Sequence, residues 1–108
     1  MMAPSTQNIL VATDFSEVAS YAIEHAVKFS RILEKEITLL HIIKKETEYD
    51  EANSYMKSQV EDTFHKFGVK VQAIIREGSI FTTIGEVANE LDASMVVMGT
   101  HGRRVCRR

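Results

Sequence analysis

Four short apolar runs limit what this chain can fold into: Asn8 to Ala12 (N-I-L-V-A), Ile37 to Ile43 (I-T-L-L-H-I-I), Val69 to Ile75, and Met95 to Met98. The first and the fourth are continuous rather than alternating, which is the pattern of a strand covered on both faces. The segments between the runs supply that cover. Ala19, Ala22, Ile23, Ala26, Val27 and Leu33 recur at helical spacing, as do Tyr55, Met56, Val60, Phe64 and Phe67, and then Ile84, Val87, Ala88 and Leu91. Ser16 stands where its hydroxyl can cap the first helix, and Gly68 reads as the stop of the second. Lys44 to Asn53 is a loop or the start of a helix, and Arg76-Glu77-Gly78-Ser79 turns the chain into the third helix. The order βαβαβαβ predicts an α/β fold with a doubly wound parallel sheet, right-handed crossovers and helices on both faces.

Nothing divides this pattern into separate units. The only proline, Pro4, precedes the first strand, and 108 residues with 44% hydrophobic content supply one core, so a single domain over residues 1–108 is expected. Charged residues make up 26% of the chain and the net charge is -2, which gives no global field to attract nucleic acid, membranes or acidic substrates. The single cysteine, Cys106, excludes an internal disulfide framework and a dense thiol metal site, and suits a reducing compartment. Met1 to Asn8 lacks the basic and apolar regions of a secretion signal, and no segment has the length to cross a bilayer. A cytoplasmic protein is expected.

In an open doubly wound sheet, ligands bind beyond the carboxyl ends of the strands where the strand order reverses. Two loops fit that place. In Ala12-Thr13-Asp14-Phe15-Ser16, a carboxylate can accept hydrogen bonds from a ribose or an adenine while the helix start offers N–H groups. In Met98-Gly99-Thr100-His101-Gly102, two glycines three apart let backbone N–H groups approach an anion closely. By itself such a G-x-x-G turn is matched by many turns without a ligand.

Four strings then carry a resemblance: I-L-V-A-T-D-F-S at the first strand, L-L-H-I-I at the second, E-G-S-I before the third helix, and V-V-M-G-T-H-G after the fourth strand. In order and spacing they resemble the universal stress protein family over essentially the whole chain. The resemblance implies a Rossmann-like sheet of the adenine nucleotide alpha hydrolase type, with strand order 3-2-1-4-5 and, in many members, ATP (with Mg) between strands one and four. By the same resemblance, Asp14 contacts the nucleoside beside Ala12 and Thr13, and Ile42 presents backbone atoms to adenine. Met98, Gly99, His101 and Gly102 line the ribose and phosphate side. Two departures stand out. Ala12 occupies a position that is often proline in the family. The ATP-binding pattern G-x2-G-x9-G, followed by Ser or Thr, calls for a third glycine farther beyond Gly102 than Arg108 lies. The resemblance therefore implies strand order 3-2-1-4 with the family's fifth strand missing, together with a homo-oligomer, a dimer in many relatives, whose interface is altered by that loss.

Each residue also has a plainer role. Asp14 can cap the first helix, and Gly99 and Gly102 can serve a tight turn. His101 fits a loop histidine, His41 a packed and hydrogen-bonded one, and His25 and His65 share no metal spacing. Met95 and Met98 are expected in the core. Cys106 lies among Arg103, Arg104, Arg107 and Arg108, which favour a thiolate, yet it fits an incidental tail residue. No aromatic residue interleaves with those arginines, so a solvated terminus is expected rather than a nucleic-acid site. No Ser-His-Asp or paired-carboxylate set has the context of a hydrolase. The expected function is a stress-response regulatory domain that binds ATP or another adenine nucleotide and is not an enzyme. The alternatives are an interaction or oligomerisation module without nucleotide, and a small nucleotide-acting hydrolase using Asp14 and His101.

Overall fold

The computed structural model describes residues 8–99, with the backbone alone at Gly99. Four parallel strands, β1 (Asn8–Thr13), β2 (Glu36–Ile43), β3 (Gln72–Glu77) and β4 (Met95–Gly99), form one sheet in the order β3-β2-β1-β4. Three helices connect them: α1 (Glu17–Leu33), α2 (Tyr49–Phe67, entered through a single 3-10 turn at Glu46–Glu48) and α3 (Ile80–Leu91). The order is the expected one, and it reverses beside β1.

β1 is apolar on both sides because both sides are covered. Ile9 and Val11 face α1 and α2 with Ile23, Val27, Ile37, Leu39, Met56 and Val97, whereas Leu10 and Ala12 face α3 with Leu40, Ile84, Val87 and Val96. Each fully buried Val, Leu or Ile in these two layers contributes about 1.5–3 kcal/mol relative to exposure. Asn8 closes the lower end of the strand. Its Oδ1 accepts from the Thr38 hydroxyl at 2.7 Å and its carbonyl accepts from the Ser94 N–H at 3.0 Å, so one residue registers β1 against both neighbours.

Helix ends follow local chemistry. The Ser16 hydroxyl accepts from the Ala19 N–H at 3.3 Å, as an N-cap does. Gly68 ends α2 in the left-handed region at φ 71°, and its N–H reaches the Phe64 carbonyl at 2.7 Å. Gly78, at φ 152°, turns β3 into α3 where a Cβ would stand 2.5 Å from the Thr83 hydroxyl oxygen, so a side chain there is excluded twice over. The Arg31 guanidinium donates to the Phe67 carbonyl at 2.6 Å and joins the C-terminal turns of α1 and α2.

Several expectations are corrected. β3 runs from Gln72 to Glu77 rather than from Val69 to Ile75, because pairing with β2 begins at Thr38 opposite Gln72. Val69 and Val71 reach the core from the connection before the strand. In α1 the buried stripe closes at Ser30, and Leu33, in the terminal position, is 44% exposed. In α2 the inward stripe is Ala52, Met56, Val60, Thr63 and Phe67; Tyr55 and Phe64 flank it on either side and are exposed. Met95 and Met98 are half-buried at the margins of the two layers rather than at their centres.

On the edge, Arg76 of β3 and Glu90 of α3 form a two-pronged ion pair at 2.8 and 3.2 Å, in which the guanidinium holds the carboxyl below its usual range. Stability from a carboxylate with a lowered pKa is present above its unfolded value and lost as pH falls through the folded one. The difference in urea midpoint between the wild type and Glu90→Gln is therefore expected to shrink as pH drops below the usual carboxylate range; a difference that stays constant there would show the pair to be inert. Leu39→Ala, at a fully buried position of β2, is expected to cost about 2–5 kcal/mol in urea unfolding, whereas Ile32→Ala, at an exposed one, stays within about 0.5 kcal/mol.

Candidate functional site

The carboxyl end of β1 is organised by two short side chains. Thr13 is 3% exposed, and its hydroxyl accepts from the Phe15 N–H and donates to Gln59 Oε1 of α2, both at 3.0 Å. Asp14 Oδ1 accepts from the Ser16 N–H at 3.0 Å. These bonds turn the chain from strand into helix within three residues. The turn places Phe15 at φ 65°, a left-handed conformation that costs a residue with a Cβ about 1–3 kcal/mol and persists only where its surroundings enforce it.

His41 of β2 completes the arrangement. Its Nδ1 lies 2.8 Å from the Thr13 carbonyl, which can only accept, so Nδ1 carries the hydrogen. The Phe15 ring stacks on the imidazole with centroids 4.2 Å apart and planes 30° apart, and Tyr55 tilts against Phe15 at 5.4 Å. The histidine is thus packed and hydrogen-bonded, as its place in the strand implied.

A small cleft of about 50 Å³ opens on the α3 side of this turn, walled by Ala12, Thr13, Asp14, Leu40, His41 and Ile42, with Ile80 and Ile84 of α3 opposite. Four of the residues expected at a site, Ala12, Thr13, Asp14 and Ile42, are brought together in it. Met98 and Gly99 pair with Ala12 and Thr13 across the β1–β4 ladder, which sets them at the same carboxyl edge. His101 and Gly102 lie outside the described residues, as does Cys106. The volume is far below the 300–1,000 Å³ of a pocket for a drug-sized ligand, so the described walls form one side of any larger site.

Ile80 and Ile84 were missed as walls. Ile84 belonged to the apolar stripe of α3 and Ile80 is the last residue of E-G-S-I, so a signal was present in both. Gln59 gave none, since it is 46 residues from Thr13 and looks like any helix-surface amide. Among the described residues no group of three or more His, Cys, Asp or Glu side chains could hold a metal ion, and His25 and His65 stand exposed on different helices. No described helix is long and apolar enough to cross a membrane.

Residues 5–108 match the sequence model of the universal stress protein family. Universal stress protein MJ0577 of Methanocaldococcus jannaschii is 27% identical to this chain, over 94% of the chain and 81% of the relative. A solved structure of MJ0577 superposes with a TM-score of 0.74 at 28% identity, covering 92% of this chain and 78% of that one. The universal stress protein of Archaeoglobus fulgidus in complex with dAMP gives a TM-score of 0.75 at 21% identity, covering 85% and 79%. A universal stress protein in complex with cAMP gives 0.73 at 14% identity, covering 87% and 72%. At their lower identities the last two speak for a shared fold.

The Thr13 hydroxyl offers a direct check. Thr13→Val keeps the shape and removes both hydrogen bonds, leaving the Phe15 N–H and Gln59 Oε1 without that partner, and is expected to cost about 1–3 kcal/mol in urea unfolding. A change within the error of the midpoint would show the turn to be held by other means.

Proposed function

Because this chain belongs to the universal stress protein family, we propose that it is a regulatory domain that takes up an adenine nucleotide, ATP in the first instance, between β1 and β4. One observation carries the reading: Ala12 and Thr13 of β1, Asp14 just after it and Ile42 of β2 wall one cleft beyond the carboxyl ends of these strands, next to the side of β1 on which the strand order reverses. The apolar faces of Ala12 and Ile42, with Ile80 opposite, suit the flat surface of a purine. Asp14 brings a carboxylate to the wall of the cleft, and a ribose hydroxyl is a natural donor to a carboxylate at that place. Met98, Gly99, His101 and Gly102 are assigned to the ribose and phosphate side, and magnesium enters with the phosphates of ATP rather than through a protein site. The complexes with dAMP and cAMP support the adenine class, since two related folds hold two different nucleotides with that base in common.

In this reading the nucleotide is a signal rather than a substrate. The polar side chains at the β1 turn are engaged in holding the turn: the Thr13 hydroxyl with Phe15 and Gln59, and Asp14 with Ser16. They position a ligand without supplying an evident base or nucleophile.

Isothermal calorimetry with ATP and magnesium tests the proposal. Binding is expected in the wild type, and Asp14→Asn, which retains an acceptor for the Ser16 N–H but removes the charge, should weaken it by about tenfold or more. No heat with ATP, ADP or AMP, or an unchanged affinity in Asp14→Asn, would overturn the assignment.

A further inference from the structure

On the α2 side of the sheet, across the β1 turn from the cleft, lies a second and larger concavity of about 270 Å³. It is lined by Phe15, His41, Tyr55, Ile43 and Ala52 together with two carboxylates, Glu48 and Glu51; the Phe15 ring stacks on His41 and Tyr55 tilts against Phe15. Lys44 and Lys45 lie outside the lining, although their charges act on Glu48. The concavity is open to solvent, with Tyr55 53% exposed.

The chemistry of this lining selects by charge. Aromatic faces carry the negative end of a ring quadrupole, and two carboxylates beside them add full negative charge, so anions are repelled and cations attracted. A hard metal ion is poorly served, because no metal-holding group of three His, Cys, Asp or Glu side chains occurs among the described residues. A cation with its charge spread over alkyl groups needs no hydrogen bonds and gains from ring faces. Part of the lining is also set in advance. Phe15 is fixed by its left-handed backbone and the bond from its N–H to Thr13, and His41 by the Thr13 carbonyl. Glu48 accepts from the Lys44 N–H at 3.0 Å, which holds its carboxyl below the usual range and keeps it ionised. The ordering that binding still requires falls on the exposed Tyr55 and Glu51.

We propose that this aromatic and acidic cage binds a small organic ammonium ion of the choline or methylated-amine class, its cationic head against Phe15 and Tyr55 and its charge balanced by Glu48 and Glu51. The site lies across the β1 turn from the nucleotide cleft, with His41 contributing to both.

Titration of the full chain with choline, followed by the NMR shifts of the Phe15, His41 and Tyr55 ring protons, tests this without nucleotide present. Choline is expected to shift all three rings and to bind about tenfold more tightly than its neutral isostere, in which a quaternary carbon replaces the nitrogen. Glu51→Gln and Tyr55→Leu, both at exposed positions, are expected to keep the thermal midpoint of the wild type and to weaken choline by about three- to tenfold. The proposal is overturned if choline leaves the rings unshifted, if the neutral isostere binds equally well, or if Glu51→Gln binds choline as the wild type does.

Discussion

The burial of β1 on both faces is the constraint on which the rest of the structure depends. A strand with Ile9, Leu10 and Val11 fully buried and Ala12 nearly so must have helices above and below and strands at both edges. That demand sets the crossovers, the order β3-β2-β1-β4, and the two hydrophobic layers. It also decides where polar chemistry can appear. Asn8 at one end and Thr13 at the other are the first residues along the strand with hydrogen bonds to spend on neighbours, and each uses them to tie β1 to the elements around it.

Thr13 stands at the centre of the upper edge. Its carbonyl orients His41, its hydroxyl holds both the Phe15 backbone and Gln59, and the residue after it faces the cleft. A single strand terminus therefore serves two concavities of different character. On the α3 side the walls are mainly aliphatic, with Thr13, His41 and one carboxylate; on the α2 side two further rings and two carboxylates join Ile43 and Ala52. The left-handed Phe15 is what separates them, since it directs the ring to the α2 side while Asp14 stays with the cleft.

Elements with strong one-dimensional signals were legible in the sequence. The continuous runs at β1 and β4, the Ser16 cap and the Gly68 stop all read correctly, because each depends on residues adjacent in the chain. β3 read less well: V-K-V-Q-A-I-I is apolar before it is paired, and where the strand begins is decided by β2 rather than by its own residues. The ends of α1 and α3 carried no glycine signal, since Glu34 and Asp92 take up the left-handed position themselves. In the site, Ala12, Thr13, Asp14 and Ile42 were legible from topology and resemblance together. The Phe15–His41–Tyr55 wall was not, because it joins a turn, a strand and a helix, and an aromatic residue at helical spacing such as Tyr55 reads as core until its neighbours are known.

The pairing of β1 with β4 has a consequence for how the chain comes into being. β1 is synthesised first and gains β2 soon afterwards, but its other edge is matched by the last described strand, and the bond from Ser94 to Asn8 spans 86 residues. Throughout most of synthesis the most apolar strand of the molecule is held on one edge only, its remaining N–H and C=O groups open to any strand that comes near. Closing so long a loop is slow compared with forming the local units. The edge of β1 that ends up inside the sheet is thus covered, among the described strands, only when Met95–Gly99 docks against it.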